Sequence, residues 1–297
     1  MTIINWLIYA AATLLPADTS AQRIILAEQS QHRIAIADVS TQQIVWEWKP
    51  ALSNVKQEHV KWFNNPSEAK VVYDGKYVLT CASGGGVALV RIADKKTVFY
   101  AYAGGNTHSA ELLPDGNIVT ASSTDNYLML FSVDTLRAPE QVYSKKITIA
   151  FGHNVVWDKQ RQLLWSAAMS ELKAFHYNFN KTQPDLSLDT AIALPGTEAH
   201  DLFPVYGEDA LWLTNTTHVY QYKLSRHQLE QFNTPYQEHI KSITNGPAVL
   251  PVIIIKPKTS WWTDEVIDIT GKRIFFKEGL KIYKARWVLP NSFSYGL

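Results

Sequence analysis

The feature that most constrains the fold is a unit of about forty residues that recurs along the chain. Each unit opens with a short polar stretch, and an apolar run, a tight turn and a second apolar run follow. The opening residues of five units are Ser67, His108, His153, His200 and His239. The steps between these positions are 41, 45, 47 and 39 residues. A period of this length with several short apolar runs per unit indicates a closed array of small β-sheets.

Between the opening residues, runs rich in β-branched and aromatic residues alternate with turn-forming pairs such as Asp74-Gly75, a composition that indicates strands. In the third unit the predicted strands are Ala110–Leu113, Ile118–Ala121, Tyr127–Val133 and Gln141–Tyr143. Residues 23–48 contain three such runs instead of four. The C-terminal segment Tyr283–Val288 aligns with Ser67–Val72 through a shared alanine and would supply the missing inner strand. We therefore predict an all-β chain: a six-bladed β-propeller of four-stranded antiparallel blades, closed by the C-terminal strand entering the first blade.

The N-terminal segment has a different composition from the repeats. Residues 2–15 are apolar and uncharged, and the small residues of Pro16–Ala21 follow. This order is typical of the apolar region and cleavage zone of a secretory signal, and the stretch is short for a membrane span. We expect residues 1–21 to be a signal peptide and residues 22–297 to be a single β-propeller domain. The mature protein would then lack a membrane span and be secreted or periplasmic.

Composition limits the classes of partner. The net charge of +1 gives no electrostatic basis for binding nucleic acid. The single cysteine, Cys81, excludes an internal disulfide and any cysteine-based metal motif, and its apolar neighbours predict a buried core residue. The expected partner is a small-molecule or glycan ligand; a monomer is favoured, and the oligomeric state stays open.

The opening residues are expected to surround one funnel, because the inner strand of every blade starts beside the central axis. The ring at that position is Tyr283, Ser67, His108, His153, His200 and His239. The catalytic candidates are the four ring histidines, Tyr283 and Arg286. The ligand-binding candidates are Trp62, Asn64, Ser67, Lys70, Glu111, Asp201 and Lys241. Of these, Trp62 and Asn64 precede the second inner strand and would border the funnel, where the indole could stack on a sugar ring.

Three functional interpretations of the funnel stay open, beside a structural one in which the histidines bond loops and neighbouring blades. The four ring histidines, with Asp201 or Glu111, could hold one divalent metal ion such as Zn, Mn or Ni. A histidine or Tyr283 could act as a general base while Arg286 or Lys70 neutralises the carboxylate of an acidic sugar. The funnel could also bind a ligand without chemistry.

Across about residues 22–297 the repeats resemble the β-propeller superfamily. In character they resemble the uncharacterised exported propellers of bacteria, a type of domain of unknown function. The histidine ring is similar in arrangement to that of oligogalacturonate lyase, a propeller lyase whose central histidines hold a divalent metal. No motif of that enzyme matches residue by residue. We expect a carbohydrate or a small anionic ligand to bind at the funnel. The alternatives are a polysaccharide lyase or glycoside hydrolase acting there, with or without a metal, and a protein-interaction scaffold.

Overall fold

A computed structural model describes residues 22–295 of the chain, so the predicted signal peptide, residues 1–21, lies outside the described residues. In chain order the strands are β1 (Arg23–Glu28), β2 (Arg33–Asp38), β3 (Gln43–Trp48), β4 (Pro66–Val72), β5 (Tyr77–Ala82), β6 (Gly86–Arg91), β7 (Thr97–Tyr102), β8 (Thr107–Leu112), β9 (Ile118–Ser122), β10 (Tyr127–Phe131), β11 (Ser144–Thr148), β12 (Val156–Asp158), β13 (Leu163–Ala167), β14 (Glu171–Tyr177), β15 (Leu186–Ala193), β16 (Asp201–Pro204), β17 (Ala210–Thr214), β18 (Val219–Lys223), β19 (Gln228–Gln231), β20 (Ser242–Thr244), β21 (Ile253–Ile255), β22 (Glu265–Asp268), β23 (Arg273–Phe276) and β24 (Ile282–Trp287). The helices are short 3₁₀ segments: Pro50–Leu52, Gln57–Phe63, Pro139–Gln141 and Leu224–Arg226. None of the helices within these residues is long and apolar enough to cross a membrane.

The strands form six four-stranded antiparallel sheets, each of which is one blade of a β-propeller. The inner strands, in blade order, are β24, β4, β8, β12, β16 and β20. Strand β24 pairs with β1, with Ala285 opposite Leu26, so the last strand is the inner strand of the first blade. The predicted six-bladed fold and its closure by the C-terminal strand are confirmed. Closure between two distant parts of the chain removes the open edge that β1 would otherwise expose.

The outer strand of the third blade lies later in the chain than predicted. It is Ser144–Thr148. The predicted strand Gln141–Tyr143 begins at the last residue of the 3₁₀ helix Pro139–Gln141 and ends just before β11. Pro139 fixes the backbone and lacks an N–H, which suits the start of a helical turn. The sequence of β11, SKKIT, is polar because every second residue of this rim strand is exposed, so its apolar signal is weak.

The hydrophobic core lies between neighbouring blades rather than at the axis. Trp165 packs between the fourth and fifth blades, where its ring centroid is 5.4 Å from that of Tyr222. Trp212 occupies the equivalent place between the fifth and sixth blades. The buried Cys81 agrees with the sequence analysis.

In the first three blades a β-bulge lies at the same place in the inner strand. The strand register skips Tyr283 in β24, Ser67 in β4 and His108 in β8. A bulge leaves one residue unpaired and redirects its side chain. Consecutive residues of one strand can therefore both reach the axis: the Tyr283 hydroxyl contacts His108, and the ammonium of Lys284 contacts Asn154.

Candidate functional site

The inner strands bring three layers of residues to the axis, with one residue from each blade at each register position. The upper layer consists of Tyr283, Ser67, His108, His153, His200 and Lys241. The middle layer consists of Lys284, Glu68, Ser109, Asn154, Asp201 and Ser242. The lower layer consists of Arg286, Lys70, Glu111, Val156, Phe203 and Thr244. The histidines, tyrosine and cations that the repeat analysis predicted at the axis are therefore assembled there, with one exception.

The exception is the sixth blade, where the upper-layer residue is Lys241 and not His239. The backbone N–H of His200 donates to Thr214 at 2.8 Å, and that of Lys241 donates to Ile255 at 2.9 Å, so the two residues hold equivalent places. His239 lies two residues earlier, in an exposed turn with φ of 60°. The ring predicted from the sequence was out of phase in this blade, because the loop before β20 is longer than the loops before β8, β12 and β16, which carry the other histidines.

Three imidazoles pack side by side in the upper layer. The ring centroids of His108 and His153 are 4.0 Å apart, and those of His153 and His200 are 5.3 Å apart. The Oδ1 of Asn106 lies 2.8 Å from Nε2 of His108 and can only accept, so Nε2 carries the proton. The Nδ1 of His108 then accepts a hydrogen bond from the Tyr283 hydroxyl at 2.9 Å. Local hydrogen bonds thus fix the tautomer of His108.

The imidazoles of the cluster are neutral. Burial and the nearby charge of Lys284 hold the pKa of His108 well below its usual range, and burial with the charge of Lys241 lowers the pKa of His200 to about 3. Burial, followed by the charge of Asp201, raises the pKa of Tyr283, so its hydroxyl stays protonated. His108, His200 and Tyr283 are therefore all uncharged near neutral pH.

Lys241 is the cation of the upper layer. Its Nζ lies 3.2 Å from Nε2 of the neutral His200 and donates to it, so the proton of His200 is on Nδ1. Within residues 22–295, no carboxylate oxygen lies within the 4.0 Å of an ion pair with this Nζ. Burial and the charge of Lys284 lower the pKa of Lys241 to about 8, with the exposed Glu198 opposing them. The ammonium is therefore charged at neutral pH without a paired anion.

Several buried polar atoms around this cation have no hydrogen-bond partner among the described residues. They are both ring nitrogens of His153, Nδ1 of His200 and Nδ2 of Asn154. Buried polar groups are nearly always paired, and an unpaired one costs about 1–3 kcal/mol. Such a cluster of unpaired atoms beside an uncompensated ammonium is a place where a ligand would supply the missing partners.

The middle layer is an ion-pair network that closes the axis beneath the imidazoles. The Nζ of Lys284 lies 3.2 Å from carboxylate oxygens of both Glu68 and Asp201, and 3.2 Å from Oδ1 of Asn154. Arg286 reaches up from the lower layer and bonds the same two carboxylates. Burial would raise the pKa of Asp201, but Arg286 and Lys284 lower it to about 2. The carboxylates of this layer are ionised and fully engaged.

The lower layer holds a second buried ion pair, between Nζ of Lys70 and Glu111 at 2.9 Å. The Tyr295 hydroxyl, from the C-terminal tail, also donates to Glu111. The tail therefore covers this end of the axis. Glu68, Asp201 and Glu111 are all bound to cations, which leaves none of them available as the acid or base that a glycoside hydrolase requires.

The predicted ligand-binding residues Ser67, Trp62 and Asn64 do not join the cluster. Ser67 is buried and its hydroxyl donates to the backbone carbonyl of Thr107, which joins two blades. Trp62 lies toward the rim, where its ring packs against Tyr102 of an outer strand. Asn64 is exposed at the loop that leads into β4, and its carbonyl accepts from Gly84. Ser67 does lie in the upper layer, as predicted. Trp62 and Asn64 were predicted at the funnel because they precede an inner strand, but the 3₁₀ helix before β4 turns the indole outward.

The donor set does not fit the predicted four-histidine metal site. Within residues 22–295, no three His, Cys, Asp or Glu side chains are placed so that they could hold a metal ion. Both ring nitrogens of His108 and Nε2 of His200 already have partners, and His239 is exposed and outside the cluster. The ammonium groups of Lys241 and Lys284 would also repel a cation. The expectation of a metal held by His108, His153, His200 and His239 is thus not met by this arrangement.

Asn154 and Lys284 are axial residues that the sequence analysis missed. Each directly follows an upper-layer residue, His153 and Tyr283 respectively. The signal was present: a charged or amide residue follows the opening residue in four units, as in Glu68 and Asp201. In β24 the bulge explains why Tyr283 and Lys284 both face the axis, whereas His153 and Asn154 lie in the loop before β12.

The fold is similar to several solved structures. One is a protein of unknown function from Bacteroides caccae, at 15% identity and a TM-score of 0.60, with 91% of this chain and 99% of that chain covered. A second is hydrazine synthase of Kuenenia stuttgartiensis, at 15% identity and a TM-score of 0.54, with 88% and 80% covered. A third is dihydro-heme d1 dehydrogenase NirN in complex with DHE, at 16% identity and a TM-score of 0.50, with 91% and 57% covered. At these identities the likeness concerns the fold alone.

Comparison with curated proteins finds no match to the sequence. A sequence profile of a family of unknown function, DUF6528, matches residues 10–297. That match spans all six blades and the closing strand. The chain therefore belongs to the DUF6528 family.

Proposed function

We propose that this propeller binds a small oxyanion, such as a carboxylate or phosphate group, at the upper layer of its axis. The observation that carries the proposal is the buried ammonium of Lys241, which donates to a neutral imidazole instead of to a carboxylate. A buried cation without an anion is costly, so binding an anion there would recover electrostatic free energy.

The hydrogen-bonding capacity of the cluster favours an oxyanion over a cation or an apolar ligand. Nδ1 of His200 carries a proton, His153 in its neutral form carries one on either nitrogen, and Nδ2 of Asn154 carries two. With the remaining protons of Lys241, donors outnumber acceptors. The two or more oxygens of a carboxylate or phosphate would accept these bonds while carrying the opposite charge. A carbohydrate would meet the same donors through the carboxylate of an acidic sugar.

Isothermal titration calorimetry at pH 7 would test the proposal, with acetate, galacturonate, phosphate and sulfate as probes. We expect saturable binding of at least one of these anions and a loss of more than about tenfold in affinity in Lys241→Met. The matched control is Lys277→Met, which removes an exposed lysine far along the chain and should leave the affinity unchanged. Binding to none of the four anions, or an equal loss in both variants, would refute the proposal.

The pH dependence gives a second signature of the same site. The pKa of Lys241 is about 8 in the free protein, so the ammonium loses its charge as the pH rises through that value. Affinity for an anion should therefore fall above about pH 8. Lys241→Arg keeps the charge at all these pH values and should remove the fall.

We also propose that the protein acts after export, in the periplasm or outside the cell. The support is the apolar, uncharged stretch of residues 2–15 followed by the small residues of 16–21. Expression of the whole chain with a C-terminal tag, cell fractionation and N-terminal sequencing would test it. We expect exported protein that begins between Asp18 and Arg23. Protein retained in the cytoplasm with Met1 or Thr2 at its terminus would contradict export.

A further inference from the structure

A second concave site lies at the rim, between the outer parts of the second and third blades. It is a cleft of about 360 Å³, and the side chains that line it include Trp62, Tyr102, Pro139, Glu140 and Ser144. None of these residues belongs to the three axial layers. The cleft is therefore separate from the proposed anion site and needs its own explanation.

Trp62 is the largest side chain of the cleft, and its orientation is fixed from behind. The imidazole of His59 stacks on the indole, with ring centroids 3.7 Å apart and an interplanar angle of 13°. His59 is itself held by the Tyr100 hydroxyl at Nδ1 and by Glu140 at Nε2. One face of the indole is thus covered by a buried, hydrogen-bonded partner. The part of the indole that His59 leaves uncovered lines the cleft.

Tyr102 supplies a second aromatic surface beside the first. Its ring centroid lies 5.4 Å from that of Trp62 at an angle of 55°, and the residue is 48% exposed although it is large and apolar. The backbone of Gly85 lies under this ring: a Cβ there would be 2.3 Å from a ring carbon of Tyr102. Because glycine has no Cβ and tolerates the φ of 101° found at this position, the ring of Tyr102 can pack directly against the turn.

A carboxylate faces the two rings from the third blade. Glu140 lies in the helix Pro139–Gln141 and is held by Nζ of Lys56 at 2.7 Å and by His59. The hydrogen bond from Lys56 is the main reason that the pKa of Glu140 is lowered. The carboxylate is therefore ionised and positioned, while part of it stays open to solvent and able to accept further hydrogen bonds.

We propose that this rim cleft binds a pyranose ring of a neutral oligosaccharide. A pyranose presents C–H groups on its faces and hydroxyls around its edge. The C–H face matches the open face of Trp62 and the inclined ring of Tyr102, and the hydroxyls match Glu140 and Ser144. None of the described residues that line the cleft is a cation, so it offers no partner for the carboxylate of an acidic sugar, in contrast to the axial site.

Saturation-transfer difference NMR with maltopentaose, cellopentaose and N-acetylchitopentaose would test this site. We expect at least one of these sugars to receive saturation, and titration calorimetry to give a dissociation constant that rises more than about tenfold in Trp62→Ala. Tyr102→Ala, at an exposed rim position, should show the same loss with an unchanged melting temperature, which separates lost binding from lost folding.

Trp261→Ala is the matched control, because Trp261 is 50% exposed on the sixth blade. It should bind the oligosaccharide as the wild-type protein does, and so should Lys241→Met, because the axial site is distinct. The proposal is overturned by the absence of saturation transfer to all three sugars. It is overturned equally if Trp62→Ala and Tyr102→Ala bind as tightly as Trp261→Ala.

Discussion

Arg286 in the closing strand and Asp201 in the fifth blade are joined by two parallel hydrogen bonds at the centre of the ring. Nη1 donates to Oδ2 at 2.7 Å and Nη2 to Oδ1 at 2.6 Å. The same guanidinium donates to Glu68 of the second blade. All three side chains are buried. One residue of the last strand therefore fastens three blades together, and the charges at the axis help to close the ring as well as to line it.

Arg286→Met should destabilise the fold strongly. The substitution leaves Asp201 and Glu68 buried with only Lys284 to balance them, and breaking a buried ion pair typically costs about 3–5 kcal/mol. Urea unfolding followed by fluorescence would measure the change in free energy. Arg226→Met, which removes an exposed partner of Glu230, should change it little. Equal midpoints for Arg286→Met and the wild-type protein would show that the network contributes no stability.

Acid should weaken the fold in a defined window. The pKa of Asp201 is lowered from 3.8 to about 2, and that of Glu68 is also lowered, because Arg286 and Lys284 outweigh the effect of burial. A lowered pKa contributes stability that is complete above the unfolded value and is lost as the pH falls through the folded one. For Asp201 this amounts to about 2 kcal/mol. Thermal melts from pH 7 to pH 2 should show the decline below about pH 4, with a shallower slope in Asp201→Asn.

His153→Leu should leave the ligand-free protein as stable as the wild type, or more stable. Both ring nitrogens of His153 are buried without a partner, so an apolar side chain removes an unpaired polar group at little cost in packing. Residues kept for binding often lower stability in this way. Thermal melts without added anion would measure the effect, and anion binding should be weaker in the same variant.

His59→Leu provides the contrast, since this buried histidine has partners at both nitrogens and stacks on Trp62. The substitution should lower the free energy of unfolding by about 1–3 kcal/mol, because the Tyr100 hydroxyl is left without its acceptor and the stacking on Trp62 is lost. If His153→Leu lowered the free energy of unfolding as much as His59→Leu does, the nitrogens of His153 would have hydrogen-bond partners in the ligand-free protein. The argument for an anion at this position would then fail.

The repeat period and the shared alanine were sufficient to predict six blades and the closing strand, because both reflect which residues face the core between blades. Ala285 and Ala69 do occupy matching places in their strands. In the same alignment Arg286, Lys70 and Glu111 each lie three positions after an opening residue, and the structure has them in one layer. These predictions depend only on strand phase, which a repeating sequence preserves.

The sixth blade and the rim show where such reasoning ends. His239 matched the pattern of residue types, but the loop before β20 shifts the register by two residues and places Lys241 at the axis. Trp62 was assigned to the funnel by its position in the chain, whereas a 3₁₀ helix directs it to the rim. Loop lengths and short helices are set by local packing that a period cannot encode. The pairing of Trp62, in the 3₁₀ helix Gln57–Phe63, with Tyr102 of β7 follows from the fold alone.

Removal of residues 280–297 should prevent formation of a stable propeller. The deletion takes away β24, which leaves the backbone groups of β1 unpaired on one side, and it also removes Arg286 and the buried Trp287. Loss of a buried tryptophan side chain alone costs about 3–5 kcal/mol, against a total of about 5–15 kcal/mol for a typical domain. Solubility and resistance to limited proteolysis would measure the result.

Removal of residues 289–297 is the matched, milder deletion. It keeps β24 and the whole ion-pair network but loses Phe293 from the core between the fourth and fifth blades and the hydrogen bond from Tyr295 to Glu111. We expect the protein to fold, because Lys70 still neutralises Glu111. Its melting temperature should be lower, because the packing of Phe293 and the hydrogen bond from Tyr295 are lost. If the shorter deletion were as insoluble as the longer one, the tail rather than β24 would be the element that completes the ring. If the longer deletion melted cooperatively near the wild-type temperature, the pairing of β24 with β1 would not be needed for closure.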